Sequence, residues 1–197
     1  LYTRLPSLFK ILFEGRSTPQ ALAESEGISR QALLIRLQKQ MKPIVRKATQ
    51  EDLPILMEFM NGLVEAERPM DPTINDGDVV YYDLSEIMLK ENSDLYVVEL
   101  NNELVASGYA KIESGRPYLK HDKHGYLGFM FVPEKHRGNG YNKLIMDVLL
   151  KWCKDRNINE IRLDVYEDNP SAIRAYEKAG MKKHLINMRM DIKNVNF

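Results

Sequence analysis

The chain has 197 residues, of which 44% are hydrophobic and 28% charged, and its formal net charge is zero. This length fits one medium domain or one domain with a small appendage, and the composition excludes a disordered or fibrous chain. No apolar run approaches the roughly 18 to 20 residues that cross a bilayer, so we expect a soluble, cytoplasmic protein. The single cysteine, Cys153, leaves no internal disulfide and no cysteine-built metal site.

The first forty residues favour three short helices with an excess of positive charge. Residues 1–42 contain seven Lys or Arg against three Asp or Glu. Apolar residues at helical spacing predict a first helix over Leu5–Phe13, Pro19 and Gly27 bound the second helix, and Ser29 opens the third. We therefore expect an all-α extension over 1–42, followed by a domain over 43–197.

The second and third of these helices resemble the helix-turn-helix of bacterial regulators, through Ala23, Gly27 and Leu33. The residues that this resemblance turns towards DNA are Ser29, Arg30, Gln31 and Arg36. A lone three-helix unit without a wing binds DNA weakly unless it dimerises. DNA binding through residues 17–39 is therefore one of three possible roles of the extension. The extension either packs on the second domain, or it is a foreign leader in front of a natural start at Met41.

After Pro43, strands and helices follow one another in a mixed α+β order. Consecutive Asn101 and Asn102 tolerate the positive φ of a tight hairpin, and Thr49 with Asp52 favours a helix-capping box. The predicted elements are strands at Ile44–Lys47, Leu95–Leu100, Leu104–Ile112, Tyr126–Val132, Ile161–Tyr166 and, once or twice, within Met181–Asp191, with helices from about Asp52 to Glu65, near Asp83–Lys90, and at about Asn139–Arg156 and Ser171–Ala179.

The clearest chemical signal is the turn Glu134–Gly140, which lies between a buried strand and the long predicted helix. Gly138 and Gly140 let the backbone approach a ligand, and the helix start presents unpaired N–H groups with a partial positive charge. Such a turn binds phosphate. It is not a P-loop, because no Gly-Lys-Ser/Thr follows, and it lacks the third glycine of a dinucleotide fingerprint.

This turn resembles the pyrophosphate loop of the GNAT superfamily, Arg/Gln-x-x-Gly-x-Gly/Ala, over Arg137-Gly138-Asn139-Gly140-Tyr141-Asn142, although Asn142 replaces the usual Gly or Ala. A second stretch, "DNPSAIRAYEKAGM", is similar to another family segment through Asn169, Ala172, Tyr176 and Gly180. It is closest to the ribosomal-protein alanine acetyltransferases. The resemblance implies an α+β fold with a mixed, mostly antiparallel sheet of six to seven strands, splayed central strands and flanking helices.

The implied activity is transfer of acetyl from acetyl-coenzyme A to a primary amine of a protein, peptide or small molecule, by direct attack in a ternary complex. Tyr176 would then protonate the departing thiolate, although a tyrosine on the Ile173 and Ala179 face can equally be a core residue. Backbone groups of the strand end would hold pantetheine, and amides of residues 138–143 would hold the diphosphate. The complete implied cofactor set is Met130, Phe131, Val132, Arg137, Gly138, Asn139, Gly140, Tyr141, Asn142, Lys143, Asn169 and Tyr176.

The general base is harder to assign, because the strand Tyr126–Val132 has no acid where many relatives carry a glutamate. Asp164 lies five residues before Asn169, where the alanine acetyltransferases carry one, and strand alternation places it beside Arg162, an alternative ion-pair partner. The reserve candidates are Glu65, Glu67, His121 and His124. The last two are also a histidine pair at i, i+3, but no third ligand accompanies them, so we expect no metal site.

Two functional hypotheses remain at this point: an amine acetyltransferase, and a DNA-binding regulator whose second domain senses acyl-coenzyme A. Loops 65–80 and 114–125 would set the acceptor, which the sequence does not identify. Acidic residues in the first loop favour a cationic acceptor: Glu65, Glu67, Asp71, Asp76 and Asp78. The oligomeric state stays open, a homodimer included.

Overall fold

The computed structural model describes residues 17–34 and 42–194 of the chain. Their strands are β1 (Ile44–Lys47), β2 (Ser93–Leu100), β3 (Glu103–Ser114), β4 (Lys123–Phe131) and β5 (Ile161–Arg162). Their complete helices are α1 (Pro19–Ser25), α2 (Leu53–Glu67), α3 (Leu84–Leu89), α4 (Tyr141–Asp155) and α5 (Pro170–Lys178).

The strands form one mixed sheet in the order β1-β2-β3-β4-β5. The first three pairings are antiparallel, and β5 runs parallel to β4 through Gly125↔Ile161 and Tyr126↔Arg162. The α+β fold with flanking helices is confirmed. The predicted mixed, mostly antiparallel sheet of six to seven strands is corrected to a mixed sheet of five within the described ranges.

The missing strands have a physical explanation. The predicted strand Ile161–Tyr166 ends at Arg162, and residues 181–191 form no strand, although Ile186, Met188 and Met190 alternate along them. Those three side chains are 75%, 86% and 74% exposed. Alternation states which side chains share a face, but a strand also requires a neighbouring edge that supplies hydrogen bonds.

Turns and helix caps, which depend on residues near each other in the sequence, were predicted more accurately than the strands at the edge of the sheet. Asn101 and Asn102 adopt φ values of 56° and 62°, as the hairpin between β2 and β3 requires. The capping box is present, since the Asp52 carboxylate accepts from the Thr49 N–H at 2.7 Å. Asp52 also receives two bonds from the Arg46 guanidinium, at 2.7 and 2.8 Å, which tie the start of α2 to β1.

Both faces of the sheet are covered. On one face α4 packs closely, because a Cβ on Gly108 of β3 would lie 2.4 Å from Cγ2 of Ile145. Cys153 is buried in this layer. On the other face α2 and α3 cover a second core that contains Tyr109 and Phe129. Leu127 lies in one core and Phe129, two residues later, lies in the other, because a bulge near Phe129 interrupts the regular alternation of β4.

Only part of the predicted extension is described. Thr18 caps α1, Gly27 follows at φ +66°, and residues 30–34 are helical. The predicted first helix and the end of the third lie outside the described residues, so the helix-turn-helix, its DNA contact and the boundary at residue 42 stay predictions. Among the helices of the described ranges, none has the length and apolarity to span a membrane.

Candidate active site

The predicted phosphate-binding turn lies between β4 and α4. Gly138 and Gly140 adopt φ values of +79° and +81°, and a Cβ on either residue would meet nothing within 4 Å. Glycine is therefore required by the backbone conformation, and the space beside it is open to a ligand. The Asn139 amide braces the turn by donating to the His136 carbonyl at 3.0 Å.

The start of α4 suits a diphosphate. Gly140 is its N-cap and provides no side-chain cap for the first N–H groups, and the first turn contains no acidic residue. Free N–H groups and the helix dipole attract an anion at such an end. Arg137 donates from Nε to the Val132 carbonyl at 3.2 Å, so its side chain also anchors the turn to the end of β4.

The strand before this turn separates from its neighbour. β5 pairs with β4 only at Gly125 and Tyr126, whereas β4 continues to Phe131. A bulge near Phe129, which has φ +53°, shifts the pairing with β3. The end of β4 therefore borders a gap in which its backbone groups can meet an extended ligand.

Helix α5 contributes the second family segment. Its N-cap Asn169 accepts from the Ala172 N–H at 3.0 Å, so the side-chain oxygen of Asn169 caps the helix. Tyr176 lies on the same helix and is half-buried against the core under α4. Burial, followed by the charges of Glu67 and Tyr82, raises the pKa of Tyr176 to about 12. Its phenol therefore stays protonated at neutral pH.

A cleft of about 320 Å³ opens near Tyr176, since two of its lining residues, Glu67 and Tyr82, act electrostatically on that phenol. Its lining residues come from the end of α2, the loop before α3, the middle of β4 and the chain after β5: Glu67, Tyr81, Tyr82, Tyr126, Asp164, Val165 and Tyr166. Two candidate bases, Glu67 and Asp164, are thus brought together with four tyrosines. Among the described residues, neither lysine nor arginine lines the cleft.

The two carboxylates have different environments. Glu67 is half-buried, and desolvation raises its pKa. Asp164 is exposed and accepts a hydrogen bond from the Tyr126 hydroxyl at 3.0 Å. Arg162 instead contacts Glu160 at 3.1 Å, so the expected Arg162–Asp164 ion pair is absent within the described residues.

The remaining reserve bases are engaged elsewhere. Glu65 pairs with Arg68 at 2.7 Å on the outer side of α2. His121 lies 3.1 Å from the Arg162 guanidinium, and His124 is buried at the start of β4, 3.3 Å from Glu113. In the described part of the chain, no three His, Cys, Asp or Glu residues are arranged to hold a metal ion.

Sequence reasoning missed the tyrosines of the cleft. Only Tyr81 and Tyr82 are neighbours in the sequence, whereas Tyr126 and Tyr166 are distant from them and from each other. No sequence pattern therefore groups the four tyrosines. Tyr82 lies 5.3 Å from Tyr109 between ring centroids, and Tyr109 in turn lies 6.5 Å from Tyr126. The aromatic wall therefore arises from the tertiary fold.

These features define an acyltransferase-type fold, and the family comparison agrees. The model of the acetyltransferase (GNAT) family matches residues 58–181, more than half of the 197-residue chain. The chain therefore belongs to the GNAT family.

Curated relatives share part of their length with this chain. Over 101 residues it is 27% identical to human N-acetyltransferase 8, an alignment that covers 51% of this chain and 44% of that protein. The human N-acetyltransferase 8B alignment is 26% identical over 121 residues and covers 58% of this chain and 53% of that protein. The chain thus spans about half the length of these relatives.

Solved structures share the fold. A mutant Bacillus halodurans protein aligns with a TM-score of 0.69 and 23% identity, over 75% of this chain and 98% of that one. A predicted acetyltransferase of Clostridium acetobutylicum, solved with acetyl-CoA, aligns with a TM-score of 0.59 and 19% identity, over 79% of this chain and all of the other.

Proposed function

We propose that this chain transfers acetyl from acetyl-coenzyme A to a primary amine by direct attack in a ternary complex. The observation that carries the proposal is a juxtaposition: the Gly138–Gly140 turn, the separated end of β4, and the cleft with Tyr176 nearby. Residues 43–197 would form the catalytic unit, in keeping with the family match at 58–181.

The cofactor half would be built from backbone. Amides at the head of α4 would bind the diphosphate, as the open space beside Gly138 and Gly140 permits. N–H and C=O groups of Met130–Val132 would pair with the pantetheine arm, and one N–H would polarise the acetyl carbonyl. Asn169 would contact the cofactor through its amide nitrogen, since its oxygen caps α5.

Tyr176 would stabilise the leaving sulfur. A phenol with a pKa of about 12 is always in its donor form at neutral pH, but full proton transfer to a thiolate of pKa roughly 8.5 is uphill. Its contribution would therefore be a hydrogen bond that strengthens as negative charge develops on sulfur. As the tetrahedral intermediate collapses, the thiolate takes the proton that the attacking nitrogen gives up, and Tyr176 keeps its own.

We propose Glu67, rather than Asp164, as the general base. A lysine-like ammonium has a pKa near 10.4, so it must lose a proton before it attacks. Desolvation raises the pKa of Glu67 and so makes it a stronger base than an ordinary carboxylate. The Asp164 carboxylate already accepts from Tyr126, which leaves it better suited to binding than to proton transfer.

Coenzyme A release from the full chain, measured with a panel of primary amines, tests this function. The panel should include an alanine-terminated peptide, because of the resemblance to the ribosomal-protein alanine acetyltransferases. Tyr176→Phe should lower kcat by about 100-fold or more, with acetyl-coenzyme A affinity changed less than about twofold.

Tyr96→Phe is the matched control, since Tyr96 is likewise half-buried against the core under α4 and lies outside the cleft. It should behave as wild type. Undiminished turnover in Tyr176→Phe would remove the phenol from the mechanism.

A further inference from the structure

The acceptor cleft combines aromatic faces with two negative charges. Tyr81, Tyr82, Tyr126 and Tyr166 supply the rings, and Glu67 and Asp164 supply the carboxylates. Both carboxylates act on the Tyr82 hydroxyl electrostatically, so they serve one compartment. Rings and carboxylates with no basic residue in the lining are the surroundings that suit an alkylammonium ion.

One ring of the cleft already contacts an ammonium group. Lys111 Nζ lies 4.9 Å from the centroid of the Tyr126 ring. That distance is within the range of a cation–π interaction. The Tyr126 hydroxyl at the same time donates to Asp164. Tyr126 therefore shows that a ring of this wall can hold an ammonium group, and its hydroxyl fixes the Asp164 carboxylate.

The two carboxylates would divide the work on an acceptor with two amines. Glu67 takes the proton of the reacting ammonium, whose nitrogen then has no positive charge left for Asp164 to bind. Asp164 is fixed by Tyr126 and exposed at the cleft, so it can pair with a second cation. The cleft volume of about 320 Å³ lies at the small end for ligand pockets.

We propose that the acceptor is a small aliphatic diamine, with one terminal amine at Glu67 and the other, still charged, between Asp164 and the tyrosine rings. This inference rests on the proposed function. Per turnover, the reacting ammonium loses one proton to Glu67 and a second as the amide forms. The new C–N bond replaces the C–S bond, and the thiolate leaves as the protonated thiol while the distal ammonium is unchanged.

Three acceptors with four carbons each test the inference with the full chain: diaminobutane, n-butylamine and γ-aminobutyrate. Their far ends are cationic, apolar and anionic, respectively. We expect kcat/KM for diaminobutane to exceed that for butylamine by about tenfold, with γ-aminobutyrate about tenfold below butylamine. Asp164→Asn should bring the ratio of diaminobutane to butylamine close to one.

Glu86→Gln is the control, because Glu86 pairs with Lys90 on the surface and removal of its charge leaves the cleft intact. It should keep the wild-type ratio. Tyr126→Phe offers a second route if Asp164→Asn does not fold, since it keeps the ring and removes the hydroxyl that holds Asp164. It should reduce the same ratio.

Equal kcat/KM for the three acceptors would overturn the diamine assignment while leaving the acetyltransferase function intact. So would a lysine peptide that is a better acceptor than diaminobutane. An equal loss for both amines in Asp164→Asn would place Asp164 in the chemistry instead. Absence of coenzyme A release with every amine would overturn the proposed function itself.

Discussion

The two halves of the candidate site are built from different materials. The cofactor half is mostly backbone: two glycines with positive φ, the uncapped start of α4 and the separated end of β4. The acceptor half is mostly side chains, four tyrosines and two carboxylates from segments up to about a hundred residues apart.

This difference has a functional meaning. Backbone groups suit what is common to a ligand class, in the proposed function a diphosphate and an extended thioester arm. Side chains can vary without loss of the fold, so in the same proposal they would set the acceptor. Changes in the acceptor half should therefore affect rate and selectivity, and changes in the cofactor half should affect cofactor affinity.

The largest effect should come from the acceptor half. Glu67→Gln should lower kcat/KM for amines by about 100-fold at neutral pH, because it removes the base. In the wild type, kcat/KM should fall as pH drops through the pKa of Glu67, which burial raises above its ordinary 4.5. A rate–pH profile checks both.

Glu65→Gln is the matched control. Glu65 lies two residues before Glu67 on the same helix and pairs with Arg68 outside the cleft. Its profile should be that of the wild type. If kcat/KM of Glu67→Gln still fell with decreasing pH as in the wild type, the titrating group would be a residue other than Glu67.

The raised pKa of Glu67 also predicts how stability depends on pH, and the direction is opposite to that of a carboxylate in an ion pair. A raised folded pKa means that the native state binds the proton more tightly than the unfolded chain does. Stability should therefore fall as pH rises from 4.5 through the folded pKa, and Glu67→Gln should abolish that fall. Urea unfolding across this pH range measures it; a fall that persists in Glu67→Gln would contradict the assignment.

A smaller effect is expected in the cofactor half. Gly140→Ala should weaken acetyl-coenzyme A binding by about tenfold, because alanine disfavours φ +81° and places a methyl group where the diphosphate approaches. Gly77→Ala is an exact backbone control, with φ +81° and nothing within 4 Å of the added Cβ. Both should lose similar stability, and only the first should lose affinity in a calorimetric titration. Equal affinity for acetyl-coenzyme A in the two variants would show that the Gly138–Gly140 turn does not bind the cofactor.

The contact between β1 and α2 should affect stability and leave catalysis unchanged. Asp52 is 8% exposed and pairs with Arg46, which lowers the pKa of its carboxyl. Asp52→Asn should reduce the free energy of unfolding by about 2 kcal/mol at neutral pH. The loss should shrink as pH falls from the ordinary 3.8 towards the lower native pKa, because the unfolded chain then binds a proton that the native carboxylate does not.

Asp155→Asn is the comparison for that variant, because Asp155 forms an exposed i, i+4 pair with Lys151. It should cost less than about 0.5 kcal/mol in the same denaturation experiment. Equal losses at the two positions would show that the Arg46 pair does not brace α2.

The contrast between the halves also explains what could be read from the sequence. A turn such as 134–140 is contiguous, so its residue spacing carries its geometry. The structure has a 3-10 turn at Glu134–His136, then the glycine turn, then α4 from Tyr141. The hairpin at Asn101 and Asn102 is local for the same reason. The acceptor cleft is assembled by tertiary contacts, and no spacing in the sequence brings Tyr82 near Tyr126.

The choice of base shows the same limit. Alternation placed Asp164 on a strand, yet the chain leaves the sheet after Arg162, and desolvation of Glu67 depends on packing at the far end of α2. Residues 181–191 alternate as a strand would, but pairing depends on an edge elsewhere in the structure. Sequence patterns therefore predicted the parts whose partners are near in the chain.

The central claim is that the head of α4 binds the diphosphate of the cofactor. Calorimetric titration of the full chain with acetyl-coenzyme A and with S-acetylpantetheine, which lacks the nucleotide and the diphosphate, tests it most directly. We predict saturable binding of acetyl-coenzyme A at one site per chain, at least about tenfold tighter than S-acetylpantetheine. Equal affinities, or no uptake of acetyl-coenzyme A by the folded protein, would contradict the claim.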